Sequence, residues 1–498
     1  MGMIRVTADS GDAVGGVLRP DNHEPPFCMS GSAEHIGNKP IQNRLTEGKQ
    51  GALMTNSKKK AKRLTSFQII FLGFIGVVVL GALILMLPIS SQSGGFTPFD
   101  QALFTSTSAV CVTGLVVQDT ATYWSGFGQA VILTLIQIGG LGVITMAMSF
   151  AMLSGRKLSF SQRSTMQSAI SAPNLGGIVR LTKFVLKGTA IIELIGAAVM
   201  MPVFITDYGV RGIWLAIFHS VSAFCNAGFD LLGKPDQKFA SMTSYSTDPV
   251  INIVLMLLIT IGGIGFLTWK DVVTYKFRLK RYSLQSKVIL ITSAVLIAVP
   301  AILFFLRDFA GLPLGERILG SLFQSVTTRT AGFNTLDLNS MTTIGQAIFI
   351  MLMLIGGSPG STAGGMKTTT VAVLLLNSHS CFNRKEDPEC FGRRVEAGTV
   401  KMASTVFLMY ITLCFAGASV ICAVEELPFG VCLFETASAI GTVGLTLGIT
   451  PTLGIVSRII LIMLMFLGRV GGLTVIFAAL SGSSKKLSKL PVESITVG

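Results

Sequence analysis

Ser222-Ala223-Phe224-Cys225-Asn226-Ala227-Gly228-Phe229 decides the reading of this chain, because the chain writes it four times. The first copy is Ser108-Ala109-Val110-Cys111-Val112-Thr113-Gly114-Leu115, and the last is Ser438-Ala439-Ile440-Gly441-Thr442-Val443-Gly444-Leu445. Val326-Thr327-Thr328-Arg329-Thr330-Ala331-Gly332-Phe333 is the most divergent copy. Successive motif glycines lie 114, 104 and 112 residues apart. That period is too long for a solenoid and too short for four independent domains, so an internal fourfold repeat frames the rest.

The residues around the motifs are apolar. Half of the 498 residues are hydrophobic and 13% are charged, with a mean hydropathy of +0.67. A soluble domain carries about 25% charged residues. Between Arg63 and Arg156 the only charged side chains are Asp100 and Asp119, too few for a water-facing surface. The chain reads as an all-α polytopic membrane protein. Its net charge of +14 does not point to nucleic acid, because the Lys and Arg fall in loops between apolar spans, where the positive-inside bias puts them. The eight Cys lack paired spacing and read as buried free thiols. Cys381 and Cys390 with His379 fall short of a four-ligand zinc set.

Each repeat reads as span, half-helix, motif, return span. In the first, 67–87 is long enough for a hydrocarbon core of about 30 Å. Residues 99–109 are too short to cross and end at the motif, and 129–151 return through Gly139-Gly140-Leu141-Gly142. The pattern recurs as 184–205, 212–224 and 250–268, then 287–306, 314–327 and 344 onward, then 402–424, 429–440 and 455–480. Repeat boundaries are expected at 65–155, 180–280, 285–380 and 398–482, giving eight transmembrane helices plus four half-helices in pseudo-fourfold arrangement around one central pore. Residues 1–64 read as a cytoplasmic, disordered tail. Met54, just before the basic run Lys58–Arg63, reads as a natural start, which leaves 1–53 disordered or vector-derived. Residues 483–498 read as a cytoplasmic C-terminal tail.

Topology follows from charge. Residues 156–187 hold six Lys or Arg and no acid, and 270–287 hold six against Asp271. Both loops are expected inside, as are both termini. The motif side carries Asp119, Asp207, Asp230, Asp308, Glu425 and Glu426. Acids at a mouth concentrate cations, and ordinary solvated loops explain each one equally well.

Non-helical backbone at membrane depth is tolerated only where protein buries it or it lines a cavity. Four such segments are most economically placed around one axis, with the partially negative C-terminal ends of the half-helices facing it. Such an arrangement favours a cation. Gly114, Gly228, Gly332 and Gly444 permit backbone angles closed to other residues, letting carbonyl oxygens replace a hydration shell, which is how K⁺-selective filters work. The candidate filter strands are Val110–Gly114, Phe224–Gly228, Thr328–Gly332 and Ile440–Gly444. Close helix packing at the glycines is the competing reading for any single copy.

With the four motifs, the run Gly356-Gly357-Ser358-Pro359-Gly360-Ser361-Thr362-Ala363-Gly364-Gly365 and Gly468-Arg469 in view, residues 65–480 resemble the Trk/Ktr/HKT superfamily of cation transporters, most of all its KtrB-type members, the membrane subunits of bacterial Ktr potassium uptake systems. The resemblance implies one filter strand per repeat, K⁺ as substrate and Na⁺ as an activator. It also implies a homodimer in the bacterial plasma membrane above a cytosolic ring of RCK subunits (KtrA or KtrC type), binding ATP or ADP and responsive in some systems to cyclic di-AMP. Plant relatives with Ser at the first motif glycine favour Na⁺, and here all four positions are Gly. A Na⁺-permeable or weakly selective channel on the same scaffold is the alternative.

Two departures from the repeat mark a candidate gate. Five glycines and a proline within Gly356–Gly365, followed by Met366-Lys367, cannot hold a helix, and the resemblance implies an intramembrane gating loop there. Arg469 stands where the other repeats carry Gly140, Gly263 and Gly357. A lone Arg in a span is functional by default, and it is expected to repel cations and to hydrogen-bond the loop's carbonyls. Arg329 is expected to point behind the filter, toward Glu435 or Asp337. Glu193 is expected to pair with a buried base or to line a Na⁺ site, and His219 to be packed. No HExxH, intramembrane carboxylate pair or P-loop is present, so an enzyme or a self-contained nucleotide-driven pump is not supported.

Overall fold

The computed structural model describes residues 65–154, 159–170 and 176–471, which lie within one compact unit, Lys62–Gly498. The expectations for 1–64, for the last part of the fourth return span and for 483–498 fall outside the described residues. The fold is helical apart from one two-residue-per-strand hairpin, β1 (Glu389–Cys390) with β2 (Arg393–Arg394), which an all-α reading did not include.

The first repeat runs α1 (Ser66–Leu85), α2 (Phe99–Cys111), α3 (Thr120–Tyr123), α4 (Gly126–Leu141) and α5 (Val143–Leu153), with α6 (Phe160–Ile170) leading to the second. The second is α7 (Ile178–Tyr208), α8 (Arg211–Phe224), α9 (Pro249–Gly263) and α10 (Phe266–Tyr275). The third is α11 (Leu284–Leu306), α12 (Leu314–Thr327), α13 (Thr343–Leu354) and α14 (Thr368–Phe382). The fourth is α15 (Ala397–Glu425), α16 (Phe429–Gly441) and α17 (Ile455–Val470). Among the described residues α1, α7, α11 and α15 are each long and apolar enough to cross a membrane. Their outward faces present exposed side chains such as Leu80, Leu194, Ile302 and Leu408, as lipid-facing helices do.

The return spans differ from the expectation of single helices. α4 and α5 bend by 96°, and α9 and α10 by 100°. The breaks fall at Gly142 (φ +87°) and Gly265 (φ +93°), in a region an L side chain rarely enters. α13 is shorter still, and the 355–367 loop follows it. The starts of these helices are fixed conventionally: Ser125 caps Gly128 N at 3.2 Å, Asp248 caps Ile251 N at 2.9 Å behind Pro249, and Thr342 caps Gly345 N at 3.1 Å.

What seats each return helix is close backbone approach. A Cβ on Gly139 would strike Val110 O, one on Gly262 would strike Phe224 O, and one on Gly468 would strike Ile440 O. Each contact is with a carbonyl at the end of a half-helix. One apolar core joins most of repeats 1 and 2 and a second joins most of repeats 3 and 4. The Arg458–Asp100 ion pair at 2.8 Å ties α17 back to α2.

Gly139→Ala puts a methyl group into Val110 O and is expected to destabilise by about 1–3 kcal/mol, lowering the unfolding temperature in detergent. Gly126→Ala, with open space around its Cβ position, should stay within about 0.5 kcal/mol. Equal unfolding temperatures for the two variants would refute the contact argument.

Candidate functional site

The four half-helices end where the motifs begin. α2, α8, α12 and α16 stop at Cys111, Phe224, Thr327 and Gly441. The chain then turns back on the helix end through Thr113 N→Ser108 O, Ala227 N→Ser222 O and Val443 N→Ser438 O, each 2.8 Å, and Ala331 N→Thr327 O at 2.9 Å. Hydroxyls brace the segments from behind. Ser108 Oγ accepts from Gly114 N at 3.1 Å and Ser438 Oγ from Gly444 N at 3.0 Å. Ser222 Oγ donates to Phe229 O at 2.8 Å, and Thr327 Oγ1 donates to Phe333 O.

The four motif glycines contact one another in a closed cycle. A Cβ on Gly114 would lie 2.5 Å from Ala227 O, and one on Gly228 would lie 2.7 Å from Ala331 O. On Gly332 it would meet Val443 O, and on Gly444 it would meet Thr113 O. Their φ values are +95°, +70°, +81° and +94°. Two residues earlier in each copy, a side chain that is not glycine also takes φ > 0: Val112 at 57°, Asn226 at 59°, Thr330 at 67° and Thr442 at 51°. At Val112, Thr330 and Thr442 nothing in the residue type announces this, since αL costs such residues about 1–2 kcal/mol, whereas Asn enters αL more readily. Alternating αL residues turn successive N–H groups to one side, which leaves successive carbonyls on the other.

One side of the ring opens into a cavity of about 320 Å³ that all four motif glycines line. Asp119, Asp230, Asp337 and Lys238 also line it. Burial pushes the Asp230 carboxyl up to about 7, against the Leu232 N–H bond and with the help of Asp119. Of the other acids expected at the mouth, Asp207 accepts from Tyr245 Oη at 2.6 Å, Asp308 from Thr342 Oγ1 at 2.7 Å and Glu425 from Gly454 N at 2.8 Å, and none of these or Glu426 lines the cavity. The 234–248 insert of the second repeat crosses this mouth. Phe239 N donates to Asp119 Oδ1 at 2.8 Å in the first repeat, and Met242 N donates to Asn334 O at 3.0 Å in the third.

On the opposite side lies a cavity of about 570 Å³ lined by the 355–367 loop and Arg469. The loop is stitched to its neighbours. Ser358 N donates to Gly263 O at 2.9 Å, Phe266 N to Gly360 O at 2.7 Å, and Gly365 N to Gly468 O at 3.3 Å. Thr362 Oγ1 donates to Phe224 O at 3.0 Å. Lys367 Nζ closes the loop on itself through Ala363 O at 2.9 Å and Gly364 O at 3.3 Å. Arg469 donates to Thr362 O, Gly139 O and, at 2.9 Å, Gly140 O, so one guanidinium joins repeats 1, 3 and 4.

Three expected partners differ. Arg329 is buried and turned away from the mouth, but Nη2 bonds Ser293 Oγ on α11 at 3.1 Å. Glu435 takes Thr446 and Thr450 instead, and Asp337 takes Asn339 N at 3.0 Å. Glu193 is half-buried and meets no base: Gln137 Nε2 donates to its Oε2 at 3.3 Å, and Cys225 Sγ lies 4.0 Å from its Oε1. His219 is packed as expected, with Nδ1 on Leu215 O at 2.8 Å and Nε2 accepting from Leu231 N at 3.2 Å.

A family model described as TrkH, cation transport protein, matches residues 34–489. The potassium/sodium uptake protein NtpJ of Enterococcus hirae is 41% identical over 458 residues, covering 89% of this chain and all of that one. The Ktr system potassium uptake protein B of Bacillus subtilis is 38% identical over 424 residues, covering 84% of this chain and 93% of that one. In fold the chain is similar to the crystal structure of the potassium transporter TrkH from Vibrio parahaemolyticus, with a TM-score of 0.65 at 19% identity over 84% of this chain and 86% of that one.

Asp119→Ala removes an acceptor shared by Thr122 N, Thr122 Oγ1 and Phe239 N, a loss of about 1 kcal/mol by analogy with helix caps. Amide exchange over 237–243 is expected to quicken about fivefold, while Asp308→Ala leaves it unchanged.

Proposed function

The chain belongs to the TrkH family of cation transport proteins, close to its KtrB-type members, and on that premise we propose that it takes up K⁺ across the bacterial plasma membrane through a pseudo-fourfold filter formed by its four motif strands. It is a multi-pass membrane transporter and not an enzyme. The observation that carries the filter reading is the closed cycle of Gly114, Gly228, Gly332 and Gly444 at the floor of one cavity. Backbone oxygens massed there offer a dehydrated K⁺ the ligands it would otherwise take from water. The half-helix ends add partial negative charge, and Asp119 and Asp337 raise the local cation concentration.

In this reading the 355–367 loop is the gate and Arg469 its latch. The guanidinium stands on the path below the ring and holds a loop carbonyl, so it blocks electrostatically and mechanically at once. Opening requires the hydrogen bonds from Arg469 and Gly365 to be exchanged for others. The proposed signal comes from a cytosolic ring of nucleotide-binding subunits beneath a homodimer, with both termini cytoplasmic. The chain itself carries no P-loop, and relatives bear the name of Ktr system components. Na⁺ acts as a stimulating ion. A second reading, substantial Na⁺ permeation, draws support from the potassium/sodium name of NtpJ, the relative 41% identical.

Uptake of Rb⁺ and of Na⁺ in cells lacking their own K⁺ systems separates these readings. The K⁺ filter requires Rb⁺ to exceed Na⁺, and Gly332→Ala, whose methyl meets Val443 O, to weaken Rb⁺ uptake at least about tenfold, equivalent to one lost ligand interaction of about 1.4 kcal/mol. Comparable Rb⁺ and Na⁺ rates would establish the weakly selective channel. Arg469→Ala is expected to raise basal flux several-fold in the absence of any cytosolic partner, by removing about one unit of positive charge from the path. Unchanged flux would remove Arg469 from the gate.

A further inference from the structure

A third concavity shares no lining residue with the two described above. It has a volume of about 430 Å³ and forms where the connection from α10 to α11 meets the β1–β2 hairpin. Lys280, Arg281, Lys287 and Arg393 line it, and no carboxylate does. Its aromatic wall includes the buried Tyr282 and the exposed Phe391, with Lys287 Nζ 5.7 Å from the Phe391 ring centre.

The neighbouring acids are already engaged. Asp271 Oδ2 accepts from Ser283 N at 3.1 Å, Ser283 Oγ at 2.8 Å and Ser286 Oγ at 2.7 Å. On the hairpin side, Asp387 pairs with Arg394 at 3.1 Å and Glu389 with Lys385 at 2.9 Å, both cations outside the pocket. Among the described residues none of the four lining cations has an ion-pair partner. Lys287 is also fixed in place, because its Nζ donates to Lys280 O at 3.0 Å. Four like charges gathered in one concavity repel one another unless an anion joins them.

The pocket's position selects the anion. Leu284 begins the span α11, and Lys287 sits in its first turn. Ile291, Val295, Val299 and Ile302 follow Lys287 at steps of four, four, four and three, and all are exposed. They form one apolar stripe on one face of the helix, with the cationic pocket at its end. A soluble phosphate would need the cations but not the stripe. We propose that this pocket holds the phosphodiester headgroup of an anionic phospholipid whose acyl chains lie along α11. Basic pockets beside spans are suited to such headgroups, and each Lys or Arg near the surface contributes about a fivefold gain in binding.

The test uses the full chain in phosphatidylcholine vesicles with and without phosphatidylglycerol, read by retained lipid in native mass spectrometry and by unfolding temperature. The expected result is selective retention of phosphatidylglycerol and stabilisation by it. The combined variant Lys280→Gln, Arg281→Gln, Arg393→Gln should bind it about a hundredfold more weakly. The Lys385→Gln, Arg394→Gln pair removes two cations outside the pocket and should retain it. If the triple variant unfolds early in pure phosphatidylcholine, Arg393→Gln alone, which lies outside the spans, carries the test with about a fivefold loss. Equal losses in the triple and the control pair would overturn the proposal. So would equal stabilisation by inorganic phosphate in pure phosphatidylcholine, which would assign the pocket to a soluble anion. A triple variant that keeps phosphatidylglycerol but loses a cytosolic partner would also overturn it, making the patch a protein contact.

Discussion

A backbone that leaves helical geometry inside a membrane has no water to satisfy its polar groups. The four motif segments meet that constraint together. Their N–H groups turn back onto half-helix carbonyls, and Ser108, Ser222, Thr327 and Ser438 brace them from behind. What is left over is oxygen, massed where four strands touch at Gly114, Gly228, Gly332 and Gly444. No single repeat satisfies this alone, because each glycine closes against the segment of the next. The return helices then hold the half-helix ends from outside, with Gly139, Gly262 and Gly468 pressed on the carbonyls of Val110, Phe224 and Ile440.

Departures from symmetry occur on both sides of that ring: the 234–248 insert crosses the mouth, and the 355–367 loop with Arg469 lies on the other side. Repeats 1 and 2 break their return helices at a single glycine, whereas repeat 3 inserts a loop from 355 to 367 at the corresponding place. Arg469 stands where the other repeats carry glycine, and its guanidinium reaches Thr362 O, Gly139 O and Gly140 O. The loop's bonds reach α9, α10 and α17, so its position depends on three helices at once. The loop is also braced from within, through Gly356 N→Met366 O at 2.7 Å and Lys367 Nζ→Ala363 O at 2.9 Å.

Much of this was legible in the sequence, and the exceptions have identifiable causes. The half-helix ends were readable because short apolar segments abut repeated glycines. That the four copies meet was suggested by their number, and the motif glycines lie against one another in sequence order. The αL angles at Val112, Thr330 and Thr442 were not readable, because nothing in a β-branched residue announces φ > 0; tertiary closure imposes it, and only Asn226 is of a residue type that enters αL readily. The bends at Gly142 and Gly265 were hidden inside continuous apolar runs, where hydropathy looks the same for a straight helix and a folded one. The partner of Arg329 was missed because charge complementarity suggested a carboxylate, while packing supplied the Ser293 hydroxyl on α11.

The two arginines at membrane depth make the point about position. Neither pairs with a carboxylate among the described residues. Arg329 belongs to a motif strand, yet its guanidinium is drawn behind the strand by Ser293, and only its carbonyl is engaged on the inner side, by Asn226 Nδ2 at 3.4 Å. Arg469 lies a full segment away from any motif, yet three backbone carbonyls draw its charge under the ring. Thr362 O lies in the 355–367 loop and the Gly139 and Gly140 carbonyls at the break of α4, where Gly139 O also accepts from Gly142 N at 3.1 Å. In the gate proposed above, the glycine break and the arginine act together: the break presents acceptors, and the arginine satisfies them on the proposed path of the cation. Opening that gate requires something else to satisfy the same oxygens, which couples it to a rearrangement of backbone and not merely to the swing of one side chain.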